Sequence, residues 1–476
     1  MSQKNETVTL LLALLITLIF FGAGGWWLSN RFQGKNNPNN LSEIEKISPE
    51  QKSVSAQAKF SQGENLLIVE GASSDKQDAI QAIGKGDFQQ AVYLLEKSLR
   101  ANQNDPEALI YLNNARIGEA KSYTIAVSVP IGGSVNTSLE VLRGVAQSQN
   151  QINQAGGIHG IPLKVLIADD ADSPEIAAQI AQKLAADNSI LGVVGHTSSD
   201  TSLAAAAIYQ KAGLVMISPI STSTKLSNFG DYIFRSVPSD FVAARALAES
   251  SLQKIPNVKA VVFFNSQSGY SQSLKSEFIT ALGLGGGQVV SEFDLSSLTF
   301  TPSKSLQQAQ QEGANLIALL GDSGTLDKAL QVVQINGQKL PIVAGDDVYS
   351  PKTLDVGGKN ALGMIVAVAW HLGANPNSTF VNKSRQLWQG DVNWRTATAY
   401  DATQALIAGI MIAGIKAESS REGVQQALRS SDFSVPGATN PVRFLPSGDR
   451  NQSVQLVVVK PGSRSSFGVD FVPISR

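Results

Sequence analysis

Short apolar runs alternate with longer amphipathic stretches along most of the chain after Ser122. Tyr123–Val129 and Leu163–Ala168 have the composition of buried strands, and a helical pattern follows each of them. The first helix is predicted to run through Ile152, and the second opens with Pro174, a residue type favoured at the first helical position. This alternation predicts right-handed βαβ units on a parallel sheet.

The same alternation begins again after residue 240. Further strands are predicted at Ala260–Phe264, Val289–Asp294, Leu316–Leu320 and Ile342–Ala344, with helices between them. Toward the C terminus the pattern predicts helices at Thr396–Gly414 and Arg421–Ser430 and a hairpin within 441–459. Because the 476 residues exceed the usual length of one domain, we predict more than one α/β unit.

The N-terminal apolar run, Val8–Leu28, is long enough to cross a membrane as a helix. An uncleaved anchor is favoured over a signal peptide, because the preceding residues are nearly neutral and the run ends in the interfacial pair Trp26-Trp27. Cleavage near Ala23 is the alternative. We predict a transmembrane anchor or signal over residues 1–30 and a flexible, polar linker over 31–74.

Residues 75–120 carry apolar positions at helical spacing. The Gly-Asp-Phe sequence at residue 86 and the Asn-Asp-Pro sequence at residue 104 resemble the second helix and repeat junction of a tetratricopeptide unit. A single repeat leaves an apolar face to bury, either against the following domain or against a partner. A plain helical hairpin that acts as a spacer is the alternative.

The overall composition excludes several classes of site. The formal net charge is −1 and the basic residues are scattered, which argues against nucleic acid as a partner. The absence of cysteine excludes disulfides and thiolate metal sites. With only three histidines, His159, His196 and His371, a multi-histidine metal site is not expected either. We predict no cofactor and no metal.

Two polar loops follow buried strands in the first unit, Gly195–Ser199 and Ser218–Thr222. Parallel strands bind small ligands at their carboxyl ends, and the Ala-rich helix after the first loop has an N terminus that favours a carboxylate or phosphate. Ser199 and Thr222 would contribute hydroxyls, and Ile220 a backbone carbonyl. The alternative is that Ser199 only caps its helix and Thr222 only forms a turn.

Together these loops resemble those of the periplasmic binding proteins for branched-chain amino acids, the type I solute-binding family. That family carries a Gly-His-x-x-Ser loop and, after a helix, an Ile-Ser-Pro-x-x-Thr loop, which match Gly195–Ser199 and Ile217–Thr222. The turn Asn153–Gly160 and the pair Asp169-Asp170 also match the family. The resemblance covers residues 122–476.

The resemblance implies an α/β fold of the type I clam-shell kind, in which parallel sheets flanked by helices form two hinged lobes. Phe234–Asp240 has the form of the family's crossing into the second lobe, and Gly363–Trp370 that of the strand returning to the first. The implied lobe one comprises residues 121–237 and 366–434, and lobe two comprises residues 238–365 and 435–476. A transmembrane helix and the short helical repeat would precede them.

The resemblance also implies site residues in lobe two. Tyr270 matches a tyrosine that faces the cleft, and Asp347 matches an acidic residue that pairs with a ligand ammonium, with Asp346 as a possible substitute. A surface tyrosine and a simple Asp-Asp turn are the alternatives. Where the family places aromatic side chains, this chain has Ser323 and Thr137, so we expect a roomier or more polar pocket and include both as possible contacts.

Three other motifs are discounted. Gly283–Gly287 follows a helix and precedes a strand, the reverse of a dinucleotide-binding loop. The three aspartates at 169, 170 and 172 lack the spacing and terminal Glu of a calcium loop. His196 near Ser199 invites a nucleophile–base interpretation, but no Gly-x-Ser-x-Gly turn surrounds the serine. We predict that the protein is not an enzyme.

The resemblance implies an extracytoplasmic solute-binding protein, held at the cell membrane by its N-terminal helix, that captures an amino acid or similar zwitterion. An ABC transporter permease would be its partner. The alternative is a membrane-anchored sensor or receptor that signals or scaffolds through the helical repeat without transport.

Overall fold

The computed structural model describes residues 60–414, 419–438 and 440–474. Within these residues, no helix combines the length and the apolar character needed to cross a membrane. The apolar run Val8–Leu28 and most of the predicted linker lie outside the described residues. The described chain forms two β-sheets of six and seven strands, each flanked by helices.

The N-terminal part of the described chain contains a short strand and three helices. They are β1 (Phe60–Ser61), α1 (Ser74–Gly84), α2 (Phe88–Ala101) and α3 (Pro106–Ile117). The helical character predicted for 75–120 is confirmed, whereas its assignment as a tetratricopeptide unit stays a prediction. The predicted linker was too long, because Phe60 and Ser61 pair with β3 at the edge of the first sheet.

The first sheet and three of its helices follow directly in the chain. They are β2 (Tyr123–Val129), α4 (Val135–Gln154), β3 (Leu163–Asp169), α5 (Pro174–Ala186), β4 (Ile190–Val194), α6 (Ser199–Ala212), β5 (Val215–Ser218) and β6 (Ile233–Arg235). The strand order is β1-β3-β2-β4-β5-β6, and every pairing except β1 with β3 is parallel. This sheet forms lobe one, and the predicted βαβ alternation is confirmed there.

The second sheet begins with another run of alternating elements. They are α7 (Asp240–Lys254), β7 (Lys259–Phe264), α8 (Gly269–Leu284), β8 (Gln288–Asp294), α9 (Pro302–Gln311), β9 (Leu316–Leu319), α10 (Leu326–Asn336), β10 (Ile342–Ala344), α11 (Pro351–Gly357) and β11 (Ile365–Val368). The strand order is β13-β12-β11-β10-β9-β7-β8, and β7 to β11 are parallel. This sheet forms lobe two.

After β11 the chain returns to lobe one with α12 (Thr379–Trp388), α13 (Trp394–Ala413) and α14 (Arg421–Arg429). Gln147 on α4 accepts hydrogen bonds from Ser384 at 2.9 Å and from the Trp388 indole at 3.2 Å. Gly144 allows α4 and α13 to approach closely, because a Cβ there would lie 2.4 Å from the carbonyl oxygen of Thr396. These contacts bind the returning helices to α4.

The last two strands, β12 (Gln455–Pro461) and β13 (Val469–Pro473), complete lobe two by antiparallel pairing. Two lobe boundaries taken from the resemblance were wrong. The strand at 365–368 pairs with β10 and β12, so it belongs to lobe two. The segment around Asp449 belongs with lobe one, because Arg235 Nε donates to Oδ1 of Asp449 at 2.6 Å.

A buried charge network joins the N-terminal helices to one another. The Lys76 side chain is 2% exposed, and its Nζ lies 2.8 Å from Asp105 and 2.7 Å from Glu107. Glu107 Oε1 also accepts from the backbone N–H of Leu67 at 2.9 Å and from the Tyr111 hydroxyl at 3.0 Å. Burying these charges is tolerable only because they are paired.

A second contact joins α3 to the sheet. Asn114 on α3 donates to the carbonyl of Val165 on β3 at 2.8 Å and accepts from its N–H at 3.1 Å. Beyond the point where β1 ends, the Asn114 amide therefore forms the hydrogen bonds with the backbone of β3 that a neighbouring strand would otherwise form. The apolar face of the helical segment is thus buried against the following domain.

We expect Lys76→Met to destabilise the protein by about 3–5 kcal/mol, because the substitution leaves Asp105 and the buried Glu107 without a cation. Lys97→Met is the matched control. In the ion pair of Lys97 with Asp75, the lysine side chain is 53% exposed. We therefore expect Lys97→Met to change the free energy of unfolding by less than about 1 kcal/mol. Urea unfolding followed by circular dichroism measures both changes. Similar losses in the two variants would contradict the role assigned to the buried network.

Candidate functional site

A cleft of about 390 Å³ lies between the lobes, at the carboxyl ends of their parallel strands. Every residue singled out in the sequence analysis as a ligand contact lines it: Ser199, Ile220, Thr222, Tyr270 and Asp347, together with Thr137, Asp346 and Ser323. The structure therefore brings the whole predicted set together, although whether these residues bind a ligand stays a prediction. The position agrees with the general placement of ligand sites in α/β proteins.

The lobe-one wall of the cleft is formed by the N terminus of α6. Ser198, not Ser199, is the N-cap, and its Oγ accepts from the N–H of Thr201 at 3.3 Å. The alternative role of Ser199 as the cap is therefore excluded. Its Oγ accepts from the backbone N–H of Ser223 at 3.3 Å, which ties the two predicted loops together.

Thr222 lies on the second of these loops and is 7% exposed. Its Oγ1 is buried and makes no hydrogen bond of normal geometry within the described residues, although it lies close enough to the Asp240 carboxylate to oppose the rise that burial causes in the pKa of that group. A buried hydroxyl without a partner costs about 1–3 kcal/mol, so such a group at the wall of a cleft marks a place where a polar partner would be favourable.

His196 points into lobe one rather than into the cleft. Its Nδ1 lies 2.7 Å from Oδ2 of Asp170, and its Nε2 lies 3.2 Å from the Tyr209 hydroxyl. Its backbone carbonyl accepts from Ser218 at 2.7 Å. The imidazole is therefore engaged in a buried network and is not paired with Ser199, so the nucleophile–base interpretation has no geometric support.

On the lobe-two side, the Tyr270 hydroxyl donates to Oδ1 of Asp346 at 2.5 Å. Gly345 makes this approach possible, because a Cβ at that position would lie 2.4 Å from the tyrosine oxygen. Burial and the nearby Asp346 carboxylate raise the pKa of Tyr270 well above its ordinary value, so the hydroxyl remains a donor. The tyrosine is thus fixed by the acidic residue beside it.

Asp347 is held differently. Its Oδ1 accepts from Nη2 of Arg395 at 3.0 Å, and its Oδ2 accepts from the N–H of Ser323 at 3.0 Å. Residues Asp346–Val348 form a 3₁₀ turn after the end of β10. In an extended strand adjacent side chains would point to opposite sides, but in this turn both carboxylates line the cleft.

The charge of Asp347 disfavours ionisation of its neighbour Asp346. Burial, together with the charge of Asp347, raises the pKa of Asp346 to about 7. Burial also raises the pKa of Asp347, while Arg395 opposes that shift. Asp346 forms no ion pair within the described residues. Its hydrogen-bond partner is the neutral Tyr270 hydroxyl, and the charge of Arg395 only partly offsets the rise in its pKa.

Arg395 is one of the charged cleft residues that sequence reasoning missed, along with Asp200 and Asp322. It lies in the first turn of α13, where its charge opposes the helix dipole. A basic side chain in that position, flanked by the buried Trp394 and Thr396, was the available signal for an unusual role. Its side chain is 12% exposed, and its guanidinium carbon lies 4.5 Å from the centre of the Trp394 ring.

Polar contacts join the two lobes across the cleft. Oδ2 of Asp200, on α6, accepts from the N–H of Gly269 at the start of α8 at 3.0 Å. The N–H of Thr224 donates to Oγ of Ser273 at 3.0 Å. Together with the ion pair between Arg395 and Asp347, these contacts hold the lobes in their present relation.

The discounted motifs also have structural roles. Asp169 Oδ1 accepts from the N–H of Gly132 at 3.0 Å and of Ala171 at 2.8 Å, so it holds a loop at the cleft. Gly285 to Gly287 form the turn between α8 and β8. No group of three or more potential metal ligands lies within the residues that the structure describes.

With two α/β lobes and a polar cleft between them, the architecture is that of a hinged binding protein. The sequence profile of the periplasmic binding protein family matches residues 122–464. The chain belongs to this family.

Relatives of this periplasmic binding protein are known at low sequence identity. The leucine-, isoleucine-, valine-, threonine- and alanine-binding protein of Pseudomonas aeruginosa is 24% identical over 333 residues, which are 69% of this chain and 87% of that protein. The Leu/Ile/Val-binding protein BraC3 of Rhizobium johnstonii is 27% identical over 346 residues, 70% and 90% of the two chains.

The fold also matches solved structures. An ABC transporter substrate-binding protein from Desulfitobacterium hafniense, crystallised in complex with Leu, superposes with a TM-score of 0.63 at 24% identity. The match covers 74% of this periplasmic binding protein and all of that chain. The two-lobed fold implied by the sequence resemblance is thereby confirmed.

We expect His196→Ala to lower the stability of this periplasmic binding protein by about 2–3 kcal/mol, because it leaves the fully buried Asp170 without its imidazole partner. Ser199→Ala is the comparison, and we expect it to cost less than about 1 kcal/mol. Thermal and urea unfolding measure the difference. A stable His196→Ala protein would show that the imidazole is not a structural element of the loop.

Proposed function

We propose that the cleft binds an α-amino acid or similar small zwitterion, which closure of the two lobes removes from water. The observation that carries this proposal is Asp346, a carboxylate without an ion pair among the described residues, which faces the same cleft as the N terminus of α6 and the hydroxyl of Thr222. One wall thus suits an anion and the other an ammonium.

The ligand carboxylate would lie at the N terminus of α6, with the hydroxyls of Ser199 and Thr222 as donors. A helix N terminus presents free N–H groups and a partial positive charge, which suits a carboxylate. The ligand ammonium would lie between the carbonyl of Ile220 and the carboxylates of Asp346 and Asp347. An ammonium removed from water needs such an anionic partner.

The relatives support the same class of ligand and a role in transport. Those quoted above are named as binding proteins for branched-chain and small amino acids, or as ABC transporter substrate-binding proteins. We propose that this protein likewise acts outside the cytoplasm and delivers its ligand to an ABC transporter permease. Val8–Leu28 would tether it to the membrane.

The proposal assigns no catalytic step to the cleft. His196, the one histidine near Ser199 in sequence, is engaged with Asp170 and Tyr209. The sensor alternative requires a free surface on the helical segment. Since α3 packs its apolar residues against lobe one, we favour capture and transport.

We expect Asp346→Asn to weaken binding of the amino acid by at least about 2 kcal/mol at pH 8, because the ammonium loses its charged partner. In the parent protein, affinity should fall between about pH 8 and pH 5, by up to about tenfold per pH unit, since the raised pKa of Asp346 leaves it protonated in acid. In Asp346→Asn, the part of the pH dependence of affinity that comes from residue 346 should be absent.

A thermal-shift screen of the twenty amino acids selects the ligand for titration calorimetry at both pH values. Asp355→Asn is the control, because Asp355 is an exposed carboxylate on lobe two outside the cleft. Unchanged affinity in Asp346→Asn would contradict the ammonium site. Failure of every amino acid to bind would overturn the proposed function.

A further inference from the structure

The charged side chains that line the cleft are strongly unbalanced. Among the cleft-lining residues of the described structure there is a single basic side chain, Arg395. Five acidic side chains line the same space: Asp172, Asp200, Asp322, Asp346 and Asp347. A ligand that fills this space with no net charge would leave the imbalance in place.

Only one of the five carboxylates forms an ion pair with a basic side chain in the described structure, namely Asp347 with Arg395. The others have neutral donors. Asp200 accepts from a backbone N–H of α8, and both oxygens of Asp322 accept from the Asn265 amide. Neutral donors orient a carboxylate but do not cancel its charge. One ligand ammonium at Asp346 would therefore leave uncompensated charge at the other aspartates.

A second observation points to a polar ligand. Much of the uncharged lining is polar, including Thr137, Gln267 and Ser323. An aliphatic ligand side chain would remove these groups from water and return no hydrogen bonds, which opposes binding.

Asp172 occupies a distinct position among the five. It is exposed and lies in the loop after β3, on the lobe-one side of the cleft. Partial desolvation of the carboxylate, together with the charges of Asp170 and Asp347, raises its pKa, while a hydrogen bond from Ser198 opposes that shift. A cation placed beside it would relieve this repulsion.

Resting on the proposed function, we infer that the cleft takes an amino acid whose side chain ends in a second cation, and that Asp172 is the partner of that cation. The α-ammonium and α-carboxylate would occupy the sites described above. The side chain would extend toward the exposed end of the cleft, where a charged terminus keeps part of its hydration.

L-lysine and L-norleucine form the matched pair of probes, because they share a four-carbon side chain and differ by the terminal ammonium. Titration calorimetry at pH 8 should show lysine binding at least about tenfold more tightly than norleucine. In Asp172→Asn the affinity for lysine should fall by about five- to tenfold, whereas the affinity for norleucine should stay the same.

The substitution is compatible with folding, because Asp172 has a φ of 55° and asparagine accepts this left-handed conformation readily. Asp432→Asn, at an exposed position on lobe one outside the cleft, is the control.

The outcomes separate the two levels of the proposal. Norleucine binding as tightly as lysine would overturn the inference and leave the amino-acid site standing. A lysine preference that Asp172→Asn retains in full would overturn the assignment of Asp172. If neither probe nor any other amino acid binds, the proposed function fails together with the inference.

Discussion

Asp346 and Asp347 stand side by side in a turn at the end of β10, and the repulsion between their charges has to be compensated from outside lobe two. Arg395, at the start of α13 in lobe one, supplies one countercharge at 3.0 Å. Tyr270 supplies only a neutral donor to the other carboxylate. The relation between the lobes and the electrostatics of the cleft therefore depend on the same pair of residues. A cation that enters the cleft therefore affects both the relation between the lobes and the electrostatics of the cleft.

This arrangement requires loops that hold their positions. In lobe one, the buried contacts of His196 with Asp170 and Tyr209 fix the loop that leads into α6. At a greater distance, Lys76 and Glu107 hold the N-terminal helices together, and Asn114 binds α3 to β3 of the same lobe. Such networks are stable only when complete, because an unpaired charge in the interior is costly. Lobe one thus provides a rigid wall against which lobe two can close.

The alternation of apolar runs and helical patterns located most of the parallel strands, but it missed β1, β6 and β13. Of the hairpin predicted within 441–459, only an isolated bridge between Phe444 and Arg450 forms, and β12 pairs with β11 and β13 instead. The alternation also could not assign Ile365–Val368 to its sheet, because an apolar run carries no information about which neighbour it pairs with. The polar loops of lobe one, together with the family resemblance, identified eight of the residues that line the cleft.

Local conformation was less predictable. Ser198 rather than Ser199 caps α6, since adjacent serines offer the same chemistry. The turn at Asp346–Val348 directs both carboxylates to the cleft, whereas adjacent side chains of an extended strand would point to opposite sides. Arg395 was missed because its partner, Asp347, is 48 residues away in sequence and belongs to the other lobe. Contacts of this kind arise from the tertiary fold, so a local sequence pattern does not predict them.

The central claim is that the carboxylates of the cleft recognise the α-ammonium of an amino acid. The most direct test compares an amino acid with the 2-hydroxy acid of the same side chain, which retains the carboxylate and lacks the ammonium. Titration calorimetry with L-lysine, L-leucine and their 2-hydroxy counterparts makes this comparison. For each amino acid that binds, we predict an affinity at least about tenfold higher than that of its hydroxy acid. Equal affinities within a pair would contradict the account.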